Sequence, residues 1–191
     1  MDIEKYIAER PDLEQMLMRD WPLVIKLVEK NHFSKLLEIG TFRGATTLRL
    51  AYMVSKWGGV IDTININDWE LEIAKTVISE NNLTNVRFHL GDSLEVLNNL
   101  DGPWDFVLID GRHTYAHSMG DYLAIKPKLT ENALVVFDDA GYLSGDMNCP
   151  HCGQMINDGG VPQTAKALNL QIYDGRVGFK MIGTVNLDGL F

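Results

Sequence analysis

Cysteine is nearly absent from this chain, with two among 191 residues. That excludes a disulfide framework and makes a reducing cytoplasm the simplest setting. Positive charge is also short: 17 Lys and Arg face 26 Asp and Glu, for a formal net charge of −9. A chain this acidic is a poor match for a nucleic-acid backbone held over a broad surface, which needs clustered basic residues. A small anionic ligand on a helix N-terminus stays open. Long hydrophobic runs are missing. A stretch such as Ala133 to Phe137 falls far short of the ~20 residues that cross a bilayer, so no membrane partner is expected. The opening MDIEKYIAERPD lacks the apolar core of a signal peptide. There is no internal repeat and no low-complexity stretch.

What is present is ordinary globular composition, 46% hydrophobic and 23% charged, at a length that suits one domain. Residues 1–33 read as a helical cap, with Ile3, Tyr6 and Ile7 on one face, a break at Pro11, and Pro22 in the first turn of a helix carrying Val24, Leu27 and Val28. Residues 34–139 then alternate strand with helix. KLLEI, VIDTINI, VRFHL, DFVLID and ALVVF are the strands. Helices lie between them, the last with Tyr115, Met119, Tyr122 and Leu123 on one face. Such alternation implies a doubly wound, mostly parallel sheet covered on both sides. Residues 140–160 read as a lid-like loop. A closing helix and two strands over 161–191 bring the sheet to seven strands.

Ligands of such sheets sit at the carboxyl ends of the strands, so chemistry is sought there. After the first strand come Gly40 and Gly44 in GTFRG. They suit either a ligand-cradling loop or a plain tight turn. The spacing is not GxGxxG, which argues against a dinucleotide. After the fourth and fifth strands come Asp110 and the pair Asp138–Asp139. Neighbouring strands would gather these three carboxylates, and a divalent cation, Mg²⁺ by ligand type, would relieve their repulsion. Turn capping by Asp138 or Asp139, with Asp110 facing solvent, is the plainer alternative. In the loop, Cys149 and Cys152 of CPHC form a zinc half-site without a second pair, to be completed by His151 or a second copy of the chain. A redox pair or an inert lid are the other readings of that motif.

LLEIGTFRGATTLRLA resembles the first motif of class I S-adenosylmethionine-dependent methyltransferases, in their O-methyltransferase branch, and the likeness extends over about residues 34–140. It implies a Rossmann-like methyltransferase fold. Glu38, Gly40, Thr41 and Gly44 would then hold the methionine end of S-adenosylmethionine, with Asp110 close by. Asp92 and Ser93 would lie beside the adenine, unless they only cap the following helix. The acidic residue that binds the ribose hydroxyls in that family falls on Asn65, 25 residues after Gly40. Its amide oxygen can accept one hydroxyl but without a carboxylate's charge. Asp110, Asp138 and Asp139 match the metal positions of the catechol-type, metal-dependent enzymes. His113 stands at the offset of their lysine base, where imidazole can take a proton near neutral pH; His117 is one turn further on.

The resulting expectation is an enzyme methylating an oxygen of a small hydroxylated acceptor, with a divalent metal orienting that oxygen and His113 as base. The alternatives are His113 acting without metal, or a non-catalytic binding module of the same fold that uses the CPHC loop. A homodimer is the base-rate expectation for assembly.

Overall fold

The computed structural model describes residues 2–14, 21–141, 159–175 and 177–187. Three helices open the chain: α1 (Ile3–Ala8), α2 (Pro11–Glu14) and α3 (Trp21–Asn31). Then β1 (Lys35–Ile39), α4 (Ala45–Ser55), β2 (Val60–Asn65), α5 (Asp68–Glu80), β3 (Val86–Leu90), α6 (Ser93–Asn99), β4 (Trp104–Ile109), α7 (Tyr115–Ile125) and β5 (Leu129–Phe137) alternate. A helix α8 (Gly160–Leu168) and strands β6 (Gln171–Tyr173) and β7 (Val177–Ile182) follow. The sheet has seven strands in the order β3-β2-β1-β4-β5-β7-β6. The first five are mutually parallel, and β7 runs antiparallel to both β5 and β6.

The strands alternate burial between two cores because successive side chains point to opposite faces. Leu36, Ile61, Phe106, Leu108, Leu134 and Val136 pack toward the side of α1, α3, α4 and α5. Leu37, Ile64, Val107, Ile109, Val135 and Phe137 pack against α6, α7 and α8. Both faces being covered, these strands carry apolar residues almost without interruption, which is why they were readable as strands. Strand β5 begins four residues before the expected Ala133, at Leu129. The helical face read through Tyr115 to Leu123 holds only in part: Met119 and Tyr122 enter the second core, but Leu123 is exposed. Among the described residues no helix is long and apolar enough to cross a membrane.

The N-terminal helices are fastened to the sheet by charge as well as by packing. Buried Arg49 on α4 forms a two-pronged pair with Glu4, at 2.9 and 2.8 Å, and stacks over Trp21 at 4.2 Å. Arg43 donates to the carbonyl of Asp12 at 2.9 Å. This second tie anchors the N-terminal segment directly to the loop after β1.

Candidate functional site

Register sets the geometry. Ile39 pairs with both Ile64 and Ile109, and Ile109 pairs with Phe137. The next residue on each strand is therefore Gly40, Asn65, Asp110 and Asp138, so these four stand in one row across the carboxyl edge. Strand order reverses between β1 and β4, the point at which open sheets of this kind bind ligands.

The loop after β1 lies against the row itself. Gly40 has φ +108°, and a Cβ there would fall 2.0 Å from the carbonyl oxygen of Asp110. Gly44, at φ +87°, lets α4 approach Ala74 of α5, where a Cβ would sit 2.9 Å from the Ala74 Cβ. Both glycines thus allow close approach of the protein to itself. Beneath the loop runs a chain of hydroxyls. Thr41 donates to Thr63 at 2.6 Å, and Thr63 and Thr47 donate to Glu38 Oε2 at 2.6 and 2.5 Å. Thr41 is buried; its side chain joins this chain, and its backbone N–H and carbonyl are bonded to Ile64 O and Gly44 N. Glu38 is fully buried, and its Oε1 has no hydrogen-bond partner among the described residues. Burial pushes the carboxyl up to about 7, and the Asp110 charge adds to this, against the lowering effect of the two threonine hydroxyls.

At the end of β2, Asn65 is 8% exposed and engaged on every side. Its oxygen accepts from Phe42 N at 3.3 Å, and its nitrogen donates to the Asn67 carbonyl at 3.0 Å and to Glu70 Oε2 at 3.1 Å. Exposed Ile66 and Trp69 flank it, and the Arg43 guanidinium lies 4.9 Å over the Trp69 ring. Glu70 was not foreseen. Its only sequence signal is its place three residues after Asn67, the spacing of a helix capping box.

At the start of α6, Asp92 is the cap, accepting from Leu94 N at 3.0 Å. Its other oxygen lies 4.0 Å from His117 Nε2. Ser93 donates to Asp121 Oδ1 at 2.6 Å. Asp121 is buried, and its Oδ2 has no partner among the described residues. Burial, with the Asp92 charge behind it, pushes Asp121 up to about 6 despite the Ser93 hydrogen bond. Nothing in the periodicity of α7 marked this acid as buried.

At the β4 and β5 ends, His113 stands between two carboxylates. Its Nε2 is 3.7 Å from Asp110 Oδ1 and its Nδ1 is 3.7 Å from Asp139 Oδ2. Asp138 and Asp139 are both buried at the row's end. Asp139 adopts φ +54°, which turns the chain away from the strand direction. The oxygens suit a hard cation by type. Yet among the described residues no three His, Cys, Asp or Glu side chains are grouped to hold a metal ion. The imidazole of His113 lies between Asp110 and Asp139. His117 is held by Thr114 at 2.8 Å and by Arg112, away from that gap. Cys149, His151 and Cys152 lie outside the described residues.

The family described as a methyltransferase domain matches residues 37–140. An O-methyltransferase of Aspergillus hancockii, hkm8, is 26% identical over 110 residues, which is 57% of this chain and 44% of that protein. The chain thus spans less than half the length of that curated relative. Among solved structures, the O-methyltransferase TomG of Streptomyces achromogenes, which acts in tomaymycin synthesis and was crystallised with S-adenosylmethionine, superposes with a TM-score of 0.74. It is 20% identical, over 95% of this chain and 89% of that one. A Bacillus cereus O-methyltransferase bound to S-adenosylhomocysteine superposes with a TM-score of 0.70, at 19% identity over 94% and 88% of the two chains.

Proposed function

This chain belongs to the family of methyltransferase domains, and we propose that it transfers the methyl group of S-adenosylmethionine to an oxygen of a small hydroxylated molecule. The observation that carries the acceptor chemistry is the imidazole of His113 set between Asp110 and Asp139. The cofactor supplies a methyl group already activated on a sulfonium sulfur. What remains for the chain is to hold the acceptor oxygen in line with that methyl group and to take its proton. His113 is the base, and the two flanking carboxylates stabilise the imidazolium that results. The residues present suit the cofactor. Glu38 offers a buried oxygen without a partner beneath the loop, and exposed Ile66 and Leu90 offer apolar surface at the ends of β2 and β3.

The test pairs binding with turnover. Calorimetry with S-adenosylhomocysteine should show saturable binding by the wild-type chain, and its absence overturns the reading. Methyl transfer to a panel of phenols and catechols should fall about 10²- to 10⁴-fold in kcat on His113→Gln, with cofactor binding retained. Transfer undiminished in that variant removes His113 from the chemistry.

A second reading keeps a divalent cation at Asp110, Asp138 and Asp139. It is favoured by the placement of three acidic residues on neighbouring strand ends, and opposed by their not being grouped in the structure. Loss of activity in EDTA with recovery in Mg²⁺ would select it; activity unchanged by chelation selects His113 alone.

A further inference from the structure

The adenosine ribose presents two adjacent hydroxyls, and in doubly wound sheets an Asp or Glu roughly twenty residues beyond the glycine loop accepts from them. Here the strand-end position holds Asn65, and its amide has no donor to spare. Both of its acceptors, the Asn67 carbonyl and Glu70 Oε2, are internal to the protein, and its oxygen is turned toward Phe42 N. The Asn65 amide grips a carboxylate, that of Glu70.

We propose that Glu70, aimed by Asn65, is the carboxylate that accepts the ribose hydroxyls of the cofactor; this rests on the methyltransferase reading above. Glu70 lies in the first turn of α5, where the helix dipole favours a negative charge. One oxygen is clamped by the Asn65 amide at 3.1 Å. The other makes no hydrogen bond among the described residues. A carboxylate has lone pairs for several donors, so one clamped oxygen and one open oxygen can meet both hydroxyls. The side chain is half-buried.

This geometry also explains why residue 65 is an amide. A carboxylate at that position would stand about 3 Å from Glu70, and two like charges so close repel. Asparagine supplies the donor that holds Glu70 still. The acidic function has moved by one side chain, from the strand end to the helix start, and position 65 has become a positioning residue.

The proposal makes an unusual demand. Installing an acid at the strand end by Asn65→Asp must weaken cofactor binding, because it expels Glu70 from its clamp. The test is calorimetry with S-adenosylhomocysteine and with its 2′-deoxy analogue. Glu70→Gln should bind S-adenosylhomocysteine about 10- to 100-fold more weakly, the scale of a lost hydrogen bond to a charged group. It should also lose most of the wild-type preference over the deoxy compound. Asn65→Asp should bind more weakly than wild type. Asn65→Asp/Glu70→Gln reverses donor and acceptor across the same pair but leaves no charge at position 70, so it should regain only part of the affinity lost in Asn65→Asp.

Thermal melts of the cofactor-free variants within a few degrees of wild type exclude a folding defect. If Glu70→Gln fails to fold, the Asn65→Asp result and the double variant still decide. Affinity and deoxy discrimination unchanged in Glu70→Gln, or tighter binding by Asn65→Asp, overturns the assignment. Wild-type protein that does not bind S-adenosylhomocysteine at all overturns the methyltransferase reading instead.

Discussion

Replacing Glu38 by glutamine exchanges a buried ionisable group for a neutral one of the same shape. In the folded protein the carboxyl is raised from 4.5 to about 7, chiefly by burial and secondarily by the Asp110 charge. Unfolding returns it to water and to its ordinary value. A raised folded value means that the folded state binds more protons between those two limits, so wild-type stability falls as pH rises through the window. The sign is fixed: the group's contribution is fully present below about pH 4.5 and is gone above about pH 7. At about 1.4 kcal/mol per pH unit the rise amounts to about 3 kcal/mol. Urea denaturation of wild type and Glu38→Gln at a series of pH values from 5 to 8 reads this directly. The variant should gain on the wild type by about 2–3 kcal/mol across that range, although the amide leaves a buried donor without a partner and lowers both ends alike. The same substitution should weaken S-adenosylhomocysteine binding, so a more stable protein would be a poorer binder. A stability difference flat in pH would refute the argument, since it would mean that Glu38 ionises in the folded protein as readily as in the unfolded chain.

Asp62 on β2 shows the opposite sign. Burial pushes its carboxyl up, but hydrogen bonds from His89 and Trp104 and the Arg87 charge outweigh that and hold it below the ordinary range. Its contribution is therefore present above about pH 4 and is lost as pH falls through the lower folded value. Asp62→Asn should destabilise by about 2–4 kcal/mol at pH 7, with the gap to wild type closing in acid, as read from denaturant midpoints at pH 7 and pH 3. Gly40→Ala places a methyl group into the Asp110 carbonyl at a backbone angle that alanine adopts with strain. It should cost about 3 kcal/mol or more and abolish cofactor binding even where the chain still folds. Normal binding by a folded Gly40→Ala protein would show that the β1 and β4 ends can part.

The fold was legible in the sequence because both faces of a parallel sheet are buried. KLLEI, DFVLID and ALVVF carry apolar residues at nearly every buried position, Glu38 being the polar exception, and no competing helical period fits them. The candidate site was legible only as a row. Gly40, Asn65, Asp110 and Asp138 follow their strands directly, so knowing the strands meant knowing the edge. Leu123 was misread because helical periodicity marks a face without saying how wide the covering layer is. Its neighbours Met119 and Tyr122 reach the core and it does not.

The sequence by itself determined the order of elements and the residue types at each strand end. Tertiary structure alone decided what those residues do to one another. It put His113 between Asp110 and Asp139. It turned Thr41 downward into a hydroxyl chain ending on Glu38, and it joined Asn65 to Glu70 across a turn. The physical reason is range. Backbone pattern and burial follow from neighbours along the chain, whereas a hydrogen bond or an ion pair depends on a few ångströms between side chains whose directions are set only once the elements have packed.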